Sequence, residues 1–218
     1  MPDGRGYENL LLWRPSASSC EGLYGIPRIA PQRLPDIARW KPIGQLRGRD
    51  LRKTDGIQTF VYDYKLTGLW NRPGRYVDLL KRAGCVLSPD YSLYADVPRA
   101  VNLFQHYKKH WLGAWWQAQG IVVIPTICWA GTDSYVWCFD GEPRASVVAV
   151  SSVGTQRYAL DKQGFLRGYD AMLERLKPET ILLFGNIPEG CRGNVVPCEA
   201  FYKQMERRAG CQEQVNEV

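Results

Sequence analysis

The residues best suited to chemistry in this 218-residue chain sit in short polar stretches that each follow an apolar, β-type run. The stretch 146–155 reads SVVAVSSVGT, an apolar run that stops at small hydroxyl residues and a glycine ahead of a helix-compatible segment. Ser151, Ser152, Gly154 and Thr155 offer backbone N–H groups and hydroxyls there without filling the space, which is how loops after the strands of an α/β fold hold anionic ligands. In 85–96 (CVLSPDYSLYAD), Ser88, Asp90, Tyr91 and Ser92 follow a second such run; Asp63 follows a third, Trp129 a fourth and Asn186 a fifth. Two carboxylates among hydroxyls and aromatic rings suit proton transfer or a Mg²⁺ ion, with the rings stacking on a planar or sugar substrate. Asp90 is therefore the expected acid/base or metal ligand and Asp63 its assistant, while the SSVGT backbone holds an anionic group of a nucleotide, nucleobase or phosphorylated ligand.

Other signatures narrow this reading. The SSVGT stretch is neither G-x-x-x-x-G-K-[ST] nor G-x-G-x-x-G, so no ATP or NAD fingerprint accompanies it. His106 and His110 are the only histidines, and their spacing puts both rings on one helical face. The run HYKKH lacks the glutamate of H-E-x-x-H and has no third ligand near in sequence, so it predicts an exposed basic face and no metal site. Seven cysteines without a C-x-x-C pair predict buried, reduced thiols in a cytoplasmic protein.

The elements that must position these residues follow from composition and periodicity. A chain 45% hydrophobic and 23% charged, with eight tryptophans and twelve tyrosines, is expected to be globular with a substantial core. The longest apolar stretch, 121–130, contains Pro125 and is about half the length of a membrane-spanning helix, so no membrane passage is expected. Residues 1–56 are rich in proline and arginine and predict an irregular segment packed on the body. Residues 57–186 alternate strand-type runs (57–64, 85–88, 121–127, 147–151, 181–184) with helical patterns. One helix covers 75–83, a second is capped by Asp96 with a stripe of Val101, Phe104, Trp111 and Trp115, and a third carries Phe165, Tyr169, Met172 and Leu176. Residues 187–218 predict a loop, a helix from Pro197 to residue 208, and a tail. About five mostly parallel strands alternating with helices define an α/β protein, either an open doubly wound sheet or a partial or distorted β/α barrel.

Charge opens a second class of function. The formal net charge is +6, and residues 28–53 alone hold Arg28, Arg33, Arg39, Lys41, Arg47, Arg49, Arg52 and Lys53 against Asp36 and Asp50. In a DNA-associated accessory protein without catalysis, Arg47, Arg49, Arg52 and Lys53 would bind nucleic-acid phosphates.

The motifs CVLSPDYSLYADVP, IVVIPTICW, CFDG and SVVAVSSVGT resemble an uncharacterised family catalogued as domain of unknown function 4417, seen in bacteria, archaea and phages. The likeness runs from 57 to 186 and implies carriage on phages and mobile elements; it brings no activity or catalytic residue with it. The order of strand ends is also similar to that of tRNA-guanine transglycosylase barrels, whose Cys/His zinc cluster this chain lacks.

Overall fold

The computed structural model describes residues 19–46 and 51–200. A short hairpin pairs β1 (Cys20–Glu21) with β2 (Ile26–Pro27). Strands β3 (Arg39–Pro42), β4 (Asp55–Gln58), β5 (Cys85–Leu87) and β6 (Val123–Ile124) then form a parallel sheet in that order, and β7 (Val147–Ser151), β8 (Thr180–Phe184) and β9 (Val195–Cys198) form a second. A single parallel bridge, Thr126 to Ala149, joins the two. The helices between strands are α1 (Thr67–Asn71), α2 (Val77–Leu80), α3 (Arg99–Ala118) and α4 (Ala159–Leu176).

Parallel strands following one another in sequence order are singly wound. A doubly wound sheet would reverse its order at a switch point, so of the two expected architectures the strand order is that of a β/α barrel wall. Alternate strand residues divide between two sides. Cys85, Leu87, Ile124, Val147, Ala149, Leu182, Phe184 and Cys198 share an inner core with Trp40 of β3, and the Trp40 ring meets Phe184 edge-on at 5.4 Å. On the other side Ile57, Val86 and Val123 pack with Trp111, Leu112, Trp115 and Trp116 of α3, while Val148, Val150, Ile181 and Leu183 pack with Phe165, Tyr169, Met172 and Leu176 of α4. Strands buried on both faces read as continuous apolar runs, which is why β7 and β8 stand out in the sequence. Helix α4 ends at Leu176 because Lys177 turns left-handed, at φ +47°, and Pro178 follows.

Several elements differ from expectation. Of the first strand run, 57–64, only Ile57 and Gln58 are strand, because β4 starts earlier, at Asp55; the third is regular only over Val123–Ile124, because Pro125 has no N–H to continue a ladder. The helix expected at 75–83 splits into a 3₁₀ turn, Pro73–Tyr76, and α2. Pro98, not Asp96, precedes α3, and Val101 and Phe104 of its expected stripe are exposed. The proline- and arginine-rich segment supplies the hairpin and β3. Pro197 lies inside β9, and residues 201–208 of the expected helix lie outside the described residues. No helix among the described residues is long and apolar enough to cross a membrane.

Candidate functional site at the carboxyl ends of the strands

Strand β5 ends at Leu87, and Pro89 diverts the chain so that 88–92 crosses the strand ends. Ser88 is spent on this junction: its Oγ accepts from the Thr126 amide at 2.9 Å, and its carbonyl accepts from Thr59 Oγ1 at 2.6 Å. The loop is tied to the 3₁₀ turn Asp63–Lys65, because Ser92 Oγ donates to Asp63 at 2.9 Å and the Ser92 amide lies 3.2 Å from the same carboxylate. The buried Tyr91 hydroxyl donates to the Leu66 carbonyl at 3.3 Å.

Asp90 is left different from all of these. The residue as a whole is half-buried, yet its Oδ1 is sealed from solvent and has no hydrogen-bond partner. Burial pushes its carboxyl up to about 7, Asp63 nearby adds to the rise, and the Lys109 ammonium opposes it. A carboxyl poised near neutrality can both give and take a proton. On the adjoining strand, Gln58 is fully buried with both side-chain amide atoms unpartnered. The Asp63 and Asp90 expected from sequence are thus brought within electrostatic reach of each other. Two exposed rings stand beside them, Tyr62 and Tyr64, stacked at 5.9 Å with Lys65 5.8 and 5.7 Å from their centroids, while Lys108 sits 4.2 Å over the buried Tyr91 ring.

The SSVGT turn is built differently. Ser152 Oγ donates to the Asn186 carbonyl at 2.6 Å, Thr155 Oγ1 donates to the Ser152 carbonyl at 2.8 Å, and Ser151 Oγ accepts from the Val153 amide at 3.3 Å. Ser152 thus ties the end of β7 to the segment after β8, and the other two hydroxyls close the turn on itself. Gly154 supplies the positive φ of +83° that the turn requires, and a Cβ on Gly185 would lie 2.6 Å from Ser152 Oγ. Trp129 packs against α4, with its ring 5.5 Å from Phe165 and its Nε1 where a side chain on Gly168 would go.

The basic segment is also engaged where it is described. Arg39 Nε and Lys41 Nζ reach the Asp55 carboxylate at 2.6 and 3.1 Å, and the Arg52 amide donates to it at 2.8 Å. Burial alone would raise the Asp55 carboxyl, but these partners hold it at about 2. Lys53 Nζ donates to the carbonyls of Lys81 and Ala83 at 2.7 and 3.3 Å. Arg47 and Arg49 lie outside the described residues.

The HYKKH run corrects the sequence reading outright. His106, Lys109 and His110 are all buried. Lys109 Nζ donates to Glu142 Oε1 at 2.5 Å and to the Thr126 carbonyl at 2.9 Å, and burial pushes both imidazoles below their ordinary range. The signal was present in the spacing, since Asn102, His106, Lys109, Gly113 and Trp116 recur at intervals of three and four along one stripe of α3.

Fold and strand ends together define a singly wound α/β protein with an acidic, aromatic-rimmed candidate site beyond β4 and β5. A profile of the family described as domain of unknown function (DUF4417) matches residues 18–200, and the chain belongs to that family. It is 36% identical over 168 residues to the Gene 1 protein of Mycobacterium phage L5, which covers 75% of this chain and 72% of that protein. It is 35% identical over 183 residues to the Gene 1 protein of Mycobacterium phage D29, covering 82% of this chain and 65%, just under two thirds, of that protein. No solved structure matches the chain.

Proposed function

We propose that this phage-type α/β protein is an enzyme acting on a nucleotide or nucleobase at the carboxyl ends of β4 and β5, with Asp90 as the proton-transferring group. The observation that carries this reading is the Asp90 carboxyl itself, sealed at Oδ1 with no partner while Asp63 beside it is held by Ser92. A buried acceptor left unsatisfied costs about 1–3 kcal/mol, and a fold tolerates that cost where a ligand supplies the missing bond. The unpaired Gln58 amide offers a donor group and an acceptor side by side, the pattern that reads a base edge. The stacked Tyr62 and Tyr64 rings with Lys65 beside them suit a planar, anionic ligand. The groups facing Asp90 are Asp63, Lys109 and Cys128, so its protonation is set chiefly by burial.

The reading is tested by thermal-shift and turnover measurements of the full chain against nucleosides, nucleotides and short single-stranded oligonucleotides, with and without Mg²⁺. A ligand of this class should raise the melting temperature and be turned over. Asp90→Asn should keep binding and lose turnover by about 10²–10⁴-fold, while Tyr62→Ala should weaken binding by about tenfold, as loss of one stacked base does. A panel that shifts nothing, or a D90N variant as active as the parent, would overturn the proposal. The Mg²⁺ arms decide whether the carboxylates act through a cation or directly. The accessory-protein reading has less support, because Arg39, Lys41 and Lys53 are held by groups of the protein itself.

A further inference from the structure

A second group of side chains, His106, His110 and Glu142, converges on the far end of the Lys109 contact and has no assigned role in the reading above. His106 Nε2 lies 3.0 Å from the Asp140 carbonyl oxygen. A carbonyl only accepts, so Nε2 carries the ring proton, and Nδ1, buried and without a hydrogen-bond partner, presents its lone pair. His110 Nδ1 lies 2.9 Å from the Pro27 carbonyl oxygen, which by the same argument protonates Nδ1 and turns the lone pair of Nε2 toward Glu142 Oε1, 3.0 Å away. Two acceptors facing each other at that distance repel, and the Lys109 ammonium on the same Oε1 offsets part of that repulsion. Glu142 Oε2 is buried and has no partner either, although Lys109 already reaches Oε1.

Both imidazoles therefore donate one N–H to a main-chain carbonyl and keep the lone pair of the other nitrogen for a further partner. That is the arrangement by which proteins orient metal-ligating histidines. The ligand atoms of His106, His110 and Glu142 lie within 4.8 Å of one another, and ligands around tetrahedral zinc, with bonds of about 2.0–2.1 Å, stand roughly 3.4 Å apart. Small side-chain rotations close the difference. Glycine at 141 lets the turn come this close: a Cβ there would lie 2.7 Å from both His110 Nδ1 and the Pro27 carbonyl. A cleft of about 570 Å³ lined by Arg28, Arg144 and Glu21 reaches Glu142 from the solvent side.

We infer that His106 Nδ1, His110 Nε2 and the Glu142 carboxylate form a binding site for one zinc-type divalent cation, holding the β1–β2 hairpin and the 138–142 turn against α3. Two nitrogens and a carboxylate oxygen are a donor set that such ions favour over Mg²⁺ or Ca²⁺. The inference does not rest on the role assigned to Asp90.

The experiment uses the full chain expressed without a histidine tag. Elemental analysis after purification should find about one zinc per chain. After chelator stripping, titration with Co²⁺ should give weak visible bands of nitrogen and oxygen ligation without intense thiolate charge-transfer absorption. His106→Gln can still donate to the Asp140 carbonyl but loses the ring lone pair, so it should keep the parental circular dichroism spectrum and lower Co²⁺ affinity at least tenfold; Glu142→Gln should do likewise. A folded parent chain that retains no zinc and develops no Co²⁺ bands overturns the inference. So does thiolate absorption, which would assign the ion to cysteines, or a His106→Gln variant that binds as tightly as the parent.

Discussion

Asp55 and Asp90 lie on neighbouring parallel strand units at opposite ends of the wall, and the protein treats them in opposite ways. Asp55 opens β4 at the amino-terminal end, where Arg39, Lys41 and the Arg52 amide surround its carboxylate and hold it at about 2. Asp90 lies three residues beyond the end of β5, where burial lifts its carboxyl to about 7 and Oδ1 has no partner. In barrel folds the amino-terminal face serves stability and the carboxyl-terminal face serves chemistry. Here the contrast appears in a single residue type: one carboxylate is completed by the fold, and the other keeps an unpartnered oxygen.

The sharpest way to break this comparison is the pH dependence of stability, because the two groups act with opposite sign. The folded value of Asp90, about 7, lies above its ordinary value of 3.8. Its contribution is therefore fully present below about pH 4 and is lost as pH rises toward 7, since the unfolded chain releases that proton first. Asp90→Asn should remove this slope in urea denaturation between pH 4 and 7 and stabilise the protein at pH 7.5 by up to about 4 kcal/mol. A variant less stable than the parent at pH 7.5 would mean that Asp90 has a stabilising partner after all, and the contrast would collapse. Stabilisation together with loss of turnover is the trade expected of a functional group.

Asp55 should give a smaller effect in the other direction. Its folded value of about 2 lies below the ordinary 3.8, so its contribution is present above about pH 4 and lost as pH falls toward 2. Asp55→Asn should cost about 2 kcal/mol at neutral pH and flatten the acid limb of the stability profile, with some of the effect screened because the Arg39 side chain is half exposed. An unchanged acid limb would show that the ion pairs at this end contribute little.

How much of this was legible in the sequence follows from where each partner lies along the chain. The parallel α/β class was readable because β7, β8 and α4 carry strong local patterns, and the Asp63 and Asp90 pairing followed from reading off what comes after each strand. Barrel order was not readable, since it depends on which strands pair. Strand β3 was missed because Arg39–Pro42 is paired on one side only and has a mostly partly exposed, basic text without an apolar run. The HYKKH face was misread because Glu142, which accepts from Lys109 and lies 3.0 Å from His110, is more than thirty residues downstream. The hydroxyls of SSVGT looked available because the carbonyl that engages Ser152 belongs to Asn186, beyond the next strand.

The smallest effect tests whether the amino-terminal end is structural throughout. Lys53 reaches the carbonyls of Lys81 and Ala83 just past α2, where a cation satisfies main-chain acceptors left open by a helix end. Lys53→Met keeps the length of the side chain and removes the charge. It should cost about 0.5–1 kcal/mol in urea denaturation and leave the affinity for a single-stranded oligonucleotide unchanged at physiological salt. The opposite result, unaltered stability with weakened and less salt-dependent binding, would make the basic segment a nucleic-acid surface. The amino-terminal end would then carry function as well, and the division drawn from Asp55 and Asp90 would apply to those two carboxylates without extending to the faces they occupy.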